Sequence, residues 1–158
     1  MRTAGVLFLG FTACLLAAAP LARGAEMNRP VSIQVVDAWA RQAPMMMPQM
    51  GQMGGDTGNG ALYVTLRNVA SDPDTLLGAS STAAENVELH ETLREGDVMR
   101  MRPVANLEVP AGGVLEMKPG GIHIMLINLK RALHPGDRVP VTLTFTHAAP
   151  VSLEVPVR

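Results

Sequence analysis

From residue 31 onward the chain alternates apolar and polar residues in short bursts and nowhere sustains a helical period. Val31-Ser32-Ile33-Gln34-Val35 alternates as a half-buried strand does. The segment 61–68 sets Leu62, Val64 and Leu66 on one face. The segment 86–93 sets Val87 and Leu89 on one face, with Glu88, His90 and Thr92 on the other. Further strands are expected at 74–79, 98–104, 113–118, 121–128, 138–145 and 151–157. Pro119-Gly120, Pro135-Gly136 and the Arg94 to Asp97 segment supply turns. Short strands at this spacing, with no internal repeat, predict an all-β antiparallel sandwich or barrel in one domain.

One stretch breaks the pattern. Residues 42–60 carry Met45, Met46, Met47, Met50 and Met53 among Gly, Pro and Gln, with neither strand alternation nor helix-forming composition. A long loop between the first two strands is expected, and loops of that length are often functional.

The N-terminus is of another material. Arg2 precedes an apolar run from Val6 to Ala19, Pro20 ends it, and Ala22-Arg23-Gly24 has the small-x-small form of an export cleavage site. The run is shorter than the roughly 20 residues a membrane-spanning helix needs. Residues 1–24 therefore read as a signal peptide ahead of a domain at 25–158, with the periplasm as the expected location. Phe11-Thr12-Ala13-Cys14 loosely resembles a lipobox, but the residues after Cys14 stay apolar, so lipid attachment there ranks second.

Cleavage after Gly24 removes Arg2 and Arg23, taking Lys+Arg from 13 to 11 against 14 acidic residues, a net charge of −3. With no basic cluster, nucleic acid is not an expected partner. Cleavage also removes the only cysteine, Cys14. A thiol-free domain is proof against wrong disulfides in an oxidising compartment.

Methionine is the anomaly of composition, with 11 in 158 residues. A thioether is a soft ligand suited to Cu(I), and imidazole also suits copper. His123 and Met125 flank Ile124 on a strand and so share a face. If Leu93 pairs with Val98 across the 94–97 turn, His90 falls directly opposite Met101, with Cβ atoms roughly 5 Å apart. A one-residue slip would part them onto opposite faces. The two pairs together offer four donors for a copper ion, provided that they face each other.

The spacing His90-x10-Met101-x21-His123-x-Met125 resembles the signature of the periplasmic PCuAC copper chaperones. The surroundings are similar too: Val87-Glu88-Leu89-His90-Glu91, Val98-Met99-Arg100-Met101-Arg102-Pro103-Val104, Lys118-Pro119-Gly120-Gly121-Ile122-His123-Ile124-Met125-Leu126, and Ala38-Trp39-Ala40-Arg41 ahead of the loop. The resemblance implies a cupredoxin-like Greek-key β-sandwich. It would bind Cu(I) through His90, Met101, His123 and Met125 and supply the dinuclear copper site of cytochrome c oxidase. The implied partner is a copper-accepting oxidase subunit or a thiol-bearing copper assembly factor, with membrane contact only through that partner and the chaperone itself a monomer. Some relatives carry a His- and Met-rich tail, whereas this sequence closes on Val155-Pro156-Val157-Arg158.

Other readings compete residue by residue. Met99 shares a face with Met101 and is its possible substitute. Met117 reads as core filler, and His134 and His147 as surface or hydrogen-bonded core residues rather than ligands. Trp39 reads as a core anchor, and Glu88 and Glu91 as solvated carboxylates, either of which would be an acceptor for His90. The Met45 to Met53 loop is as readily a mobile apolar loop as a copper collector. A blue-copper redox centre lacks its cysteine. No nucleophile, zinc-protease or paired-carboxylate motif points to an enzyme. Storage or copper resistance with the same site is the alternative to delivery.

Overall fold

The computed structural model describes residues 32–43, 58–96 and 98–158; the expected signal segment and the five loop methionines lie outside them. Ten strands follow one another: β1 (Ile33–Ala40), β2 (Gly60–Asn68), β3 (Asp74–Ser80), β4 (Ala84–Glu95), β5 (Val98–Pro103), β6 (Leu107–Val109), β7 (Val114–Glu116), β8 (Ile122–Leu129), β9 (Arg138–Phe145) and β10 (Val151–Pro156). There is no helix among the described residues. The expected strands are all present, and β6 is additional: three residues are too few to show alternation. β1 runs on past Val35 through a bulge to Ala40, carrying Trp39 into the sheet.

The strands form two sheets in which every pairing between named strands is antiparallel, and a parallel bridge ties Ala40 at the end of β1 to Val157. The larger runs β1-β2-β8-β4-β5 with β7 also paired to β2, and the smaller runs β10-β9-β3-β6. Alternation then sorts the side chains. Leu62, Leu66, Ile124 and Leu126 of the larger sheet meet Leu76, Val139, Leu143 and Phe145 of the smaller in a fully buried core. Each such side chain contributes about 1.5–3 kcal/mol on burial. Met117 joins this core, as its sequence context predicts. The opposite face of the larger sheet is turned away from that core and carries the even-numbered residues of β4 from Glu88 to Thr92 and the odd-numbered ones of β8 from His123 to Ile127.

A buried carboxylate fastens the smaller sheet. Asp74 opens β3, only 4% exposed, and accepts hydrogen bonds from the backbone N–H of Thr75 (2.7 Å), His147 (3.0 Å) and Ala148 (2.8 Å). Burial alone would raise its pKa, but the backbone donors, joined by the His147 side chain, outweigh it and hold the carboxyl below its ordinary value. The folded pKa thus lies under the unfolded one. The stabilisation is complete above the unfolded value and is lost as pH falls through the folded value. Asp74→Asn is expected to lose about 2 kcal/mol in urea unfolding at neutral pH, because an amide cannot accept from donors on both its atoms. The gap from wild type should shrink on acidification; a gap that stays constant down to low pH would refute this account.

Candidate metal centre

β4 and β8 pair so that His90 stands directly opposite His123, and Glu88 opposite Met125. Directly opposed residues share a face, so both imidazoles and Met125 leave the sheet on the side away from the core. The ring centroids of His90 and His123 are 5.9 Å apart, a separation that two metal–nitrogen bonds of about 2 Å plus the ring radii can span. The imidazoles of His90 and His123 therefore stand side by side on one face of the sheet.

The β4–β5 register differs from the expected one. Glu95 pairs with Val98, so His90 falls opposite Pro103 and Met101 opposite Thr92. β4 runs two residues further toward the turn than the Leu93–Val98 pairing assumed, to Glu95, because Gly96 takes a left-handed φ of +64° and permits a shorter connection. The guanidinium of Arg100 and the carboxylate of Glu95, 3.2 Å apart, pair near its mouth. The displacement is two residues, which preserves facing: Met101 remains on His90's side of the sheet as its diagonal neighbour. Tyr63, Thr92, Met99, Met101, His123 and Met125 line one open groove. His90 is not on its wall and joins the group through the contact with His123.

Each imidazole has one nitrogen held and the other free. Gly121 N–H donates to the Lys118 carbonyl (3.0 Å), closing a turn in which Pro119 precedes Gly120 at φ +78°, the pattern of a type II turn. The Gly121 carbonyl then accepts both Thr92 N–H (3.1 Å) and His123 Nδ1–H (3.1 Å). That leaves the His123 Nε2 lone pair available. On His90 the arrangement is reversed: Nε2–H donates to the Glu88 carboxylate at 2.9 Å. Nδ1 is then a bare lone pair, and among the described residues it is the one buried side-chain nitrogen or oxygen with no hydrogen-bond partner. Such a group normally costs free energy unless something binds it. Two imidazole lone pairs beside two thioethers make a soft, uncharged donor set that fits Cu(I).

Three further readings are settled by position. Of the two glutamates, Glu88 orients His90, whereas Glu91 is on the other face and pairs with Arg102 at 2.9 Å. Trp39 is not a core anchor: it lies opposite Tyr63 on the groove side, the rings 4.5 Å apart, and Tyr63 in turn is 6.3 Å from His123. Tyr63, buried to 5% exposure, is a site neighbour that sequence reading missed; its place between Leu62 and Val64 on an alternating strand was the available signal. His134 and His147 are surface residues, the first of the two alternatives their context allowed, and neither lines the groove.

Comparison with known proteins places this geometry. Residues 33–157 match the family model described as "Putative lipoprotein LpqE-like". The protein "Putative lipoprotein Lxx21020" of Leifsonia xyli subsp. xyli is 31% identical over 99% of this chain and 87% of its own length. Among solved structures, a copper-bound PCuAC domain from PmoF2 superposes with a TM-score of 0.59 at 24% identity, over 80% of this chain and 92% of that domain. The Cu(I) form of DR1885 from Deinococcus radiodurans superposes with a TM-score of 0.55 at 30% identity, over 78% of each chain. The sandwich is thus the cupredoxin-like fold of PCuAC domains, and by sequence the chain belongs to the LpqE-like family.

Proposed function

We propose that this protein is an extracytoplasmic Cu(I) carrier that holds one ion between His90 Nδ1, His123 Nε2 and the sulfurs of Met101 and Met125. The observation that carries the reading is the complementary pinning of the two imidazoles. Glu88 takes the proton-bearing nitrogen of one, Gly121 that of the other, and both free lone pairs belong to rings in contact. The likeness to copper-bound PCuAC structures supports the same reading.

A carrier must release its cargo. Met101 is 61% exposed whereas His123 is 5% exposed, so the site has an anchored side and an open side. Release proceeds by ligand exchange: an acceptor's donor bonds to the ion as Met101 lets go, and the less exposed imidazoles yield last. Because thioether and imidazole are exchanged as uncharged ligands, the ion leaves without a change of oxidation state. That openness favours delivery over storage. The proposed acceptor is the dinuclear copper site of cytochrome c oxidase, reached directly or through a thiol-bearing assembly factor. The family's lipoprotein name supports a location outside the cytoplasm, by export alone or with a lipid on Cys14.

Competition for Cu(I) against a chromophoric chelator tests the reading. One tight equivalent is expected, weakened at least about tenfold in Met101→Ala and in His123→Ala; absence of tight binding in the wild type would sink it. Glu88→Leu should weaken binding about tenfold while Glu88→Gln, which keeps an acceptor, loses less. Trp39 is the only tryptophan and stacks on Tyr63 beside His123. Its fluorescence should therefore change up to one equivalent of Cu(I) and be silent in His123→Ala.

A further inference from the structure

Met99 is outside the four-donor set, yet it stands beside it on the groove wall. β5 is the edge strand of the larger sheet, and alternation sends Met99 and Met101 to the groove side with Arg100 and Arg102 on the other. Both methionines are exposed, 57% and 61%. Isolated exposed apolar residues are ordinary, but here two thioethers project side by side from an edge strand along a groove that His123 also lines. Residues two apart on a strand are separated by about 7 Å, and the unbranched thioether chains are flexible enough to bring their sulfurs closer.

Their partners across β4 differ in kind. Met101 stands opposite the neutral Thr92, and Met99 stands one step nearer the Gly96 turn, opposite Arg94. The Arg94 guanidinium, which donates to the Gly96 carbonyl at 3.0 Å, thus stands across the strand from Met99 and disfavours a cation settled there, whereas the cross-strand partner of Met101 carries no charge. Met99 is therefore poorly placed as a resident ligand and well placed as one touched in passing.

We infer that Met99 is an outer thioether station through which Cu(I) enters and leaves the site, an inference that rests on the carrier reading above. On entry, a Met99 Sδ–Cu bond forms as the bond to the donor protein's ligand breaks. The Met101 Sδ–Cu bond then forms as that to Met99 breaks, and the imidazoles follow. Copper stays Cu(I), the thioethers stay neutral, and neither proton nor electron moves. Exit runs in reverse.

The test compares wild type, Met99→Leu and Met101→Leu in equilibrium Cu(I) affinity and in the stopped-flow rate of Cu(I) transfer to a chromophoric chelator. Leucine keeps the volume of an exposed side chain, and circular dichroism checks that each variant keeps its sheet. Met99→Leu should retain affinity within about threefold while transfer slows about tenfold; Met101→Leu should lose affinity. Transfer by Met99→Leu at the wild-type rate would overturn the station. So would a loss of affinity in Met99→Leu matching that in Met101→Leu, which would make Met99 a resident ligand. A wild type that binds no Cu(I) would remove the carrier reading itself, an outcome distinct from these.

Discussion

The antiparallel pairing of β4 with β8 is the constraint on which the site depends. Seven residue pairs run from Ala84–Leu129 to Glu91–Ile122, and among them His90 meets His123. Leu89 and Ile124, the next pair along, point the other way into the core. The apolar residues thus hold the register in which the imidazoles face one another. A slip by one residue would bury a histidine in the sandwich and expose Leu89 or Ile124. The free energy of core burial, several kcal/mol for such a reversal, enforces the geometry of a site that contributes little to the core itself.

The second determinant is chemical. Thioether and imidazole donors carry no charge, so the pocket needs no counter-ion and admits a monovalent soft cation more readily than a hard divalent one. Among the described residues, no three His, Cys, Asp or Glu side chains converge as a harder ion would want. Glu88, the nearest carboxylate, is engaged with His90 Nε2. It thereby acts on ring orientation, and the lone pair it frees is the buried Nδ1.

Much of this was legible in the residues because strand alternation has only two faces. Leu62, Val64 and Leu66 against Arg67, or Ile124 and Leu126 against His123 and Met125, declare their sides without reference to the rest of the chain. The spacing of the four donors carried the family resemblance for the same reason. What local pattern could not give was which residue of β4 Val98 meets, since that depends on Gly96 adopting a left-handed turn. Nor could it give the pairing partner of a strand distant in sequence. Trp39 was assigned to the core by its type, but the bulge between Val35 and Asp37 and the Ala40 pairing put the neighbouring alanine inward instead. Glu88 and Glu91 look alike in sequence, and only the fold sends one to His90 and the other to Arg102.

The donors stand on the outer face of a sheet whose inner face supplies the core, and the two surfaces share a backbone but almost no side chains. In a zinc finger the metal is the core, so loss of the ion is loss of the fold. Here the empty and filled forms can have the same architecture, and occupancy adds to stability only through mass action. On the carrier reading proposed above, the protein would therefore be reusable, discharged at one encounter and refilled at the next without passing through an unfolded state. Drift would follow the same division: for such a carrier, donors and rim can be exchanged one at a time to suit a new acceptor while Leu62, Ile124 and Phe145 go on holding the two sheets together.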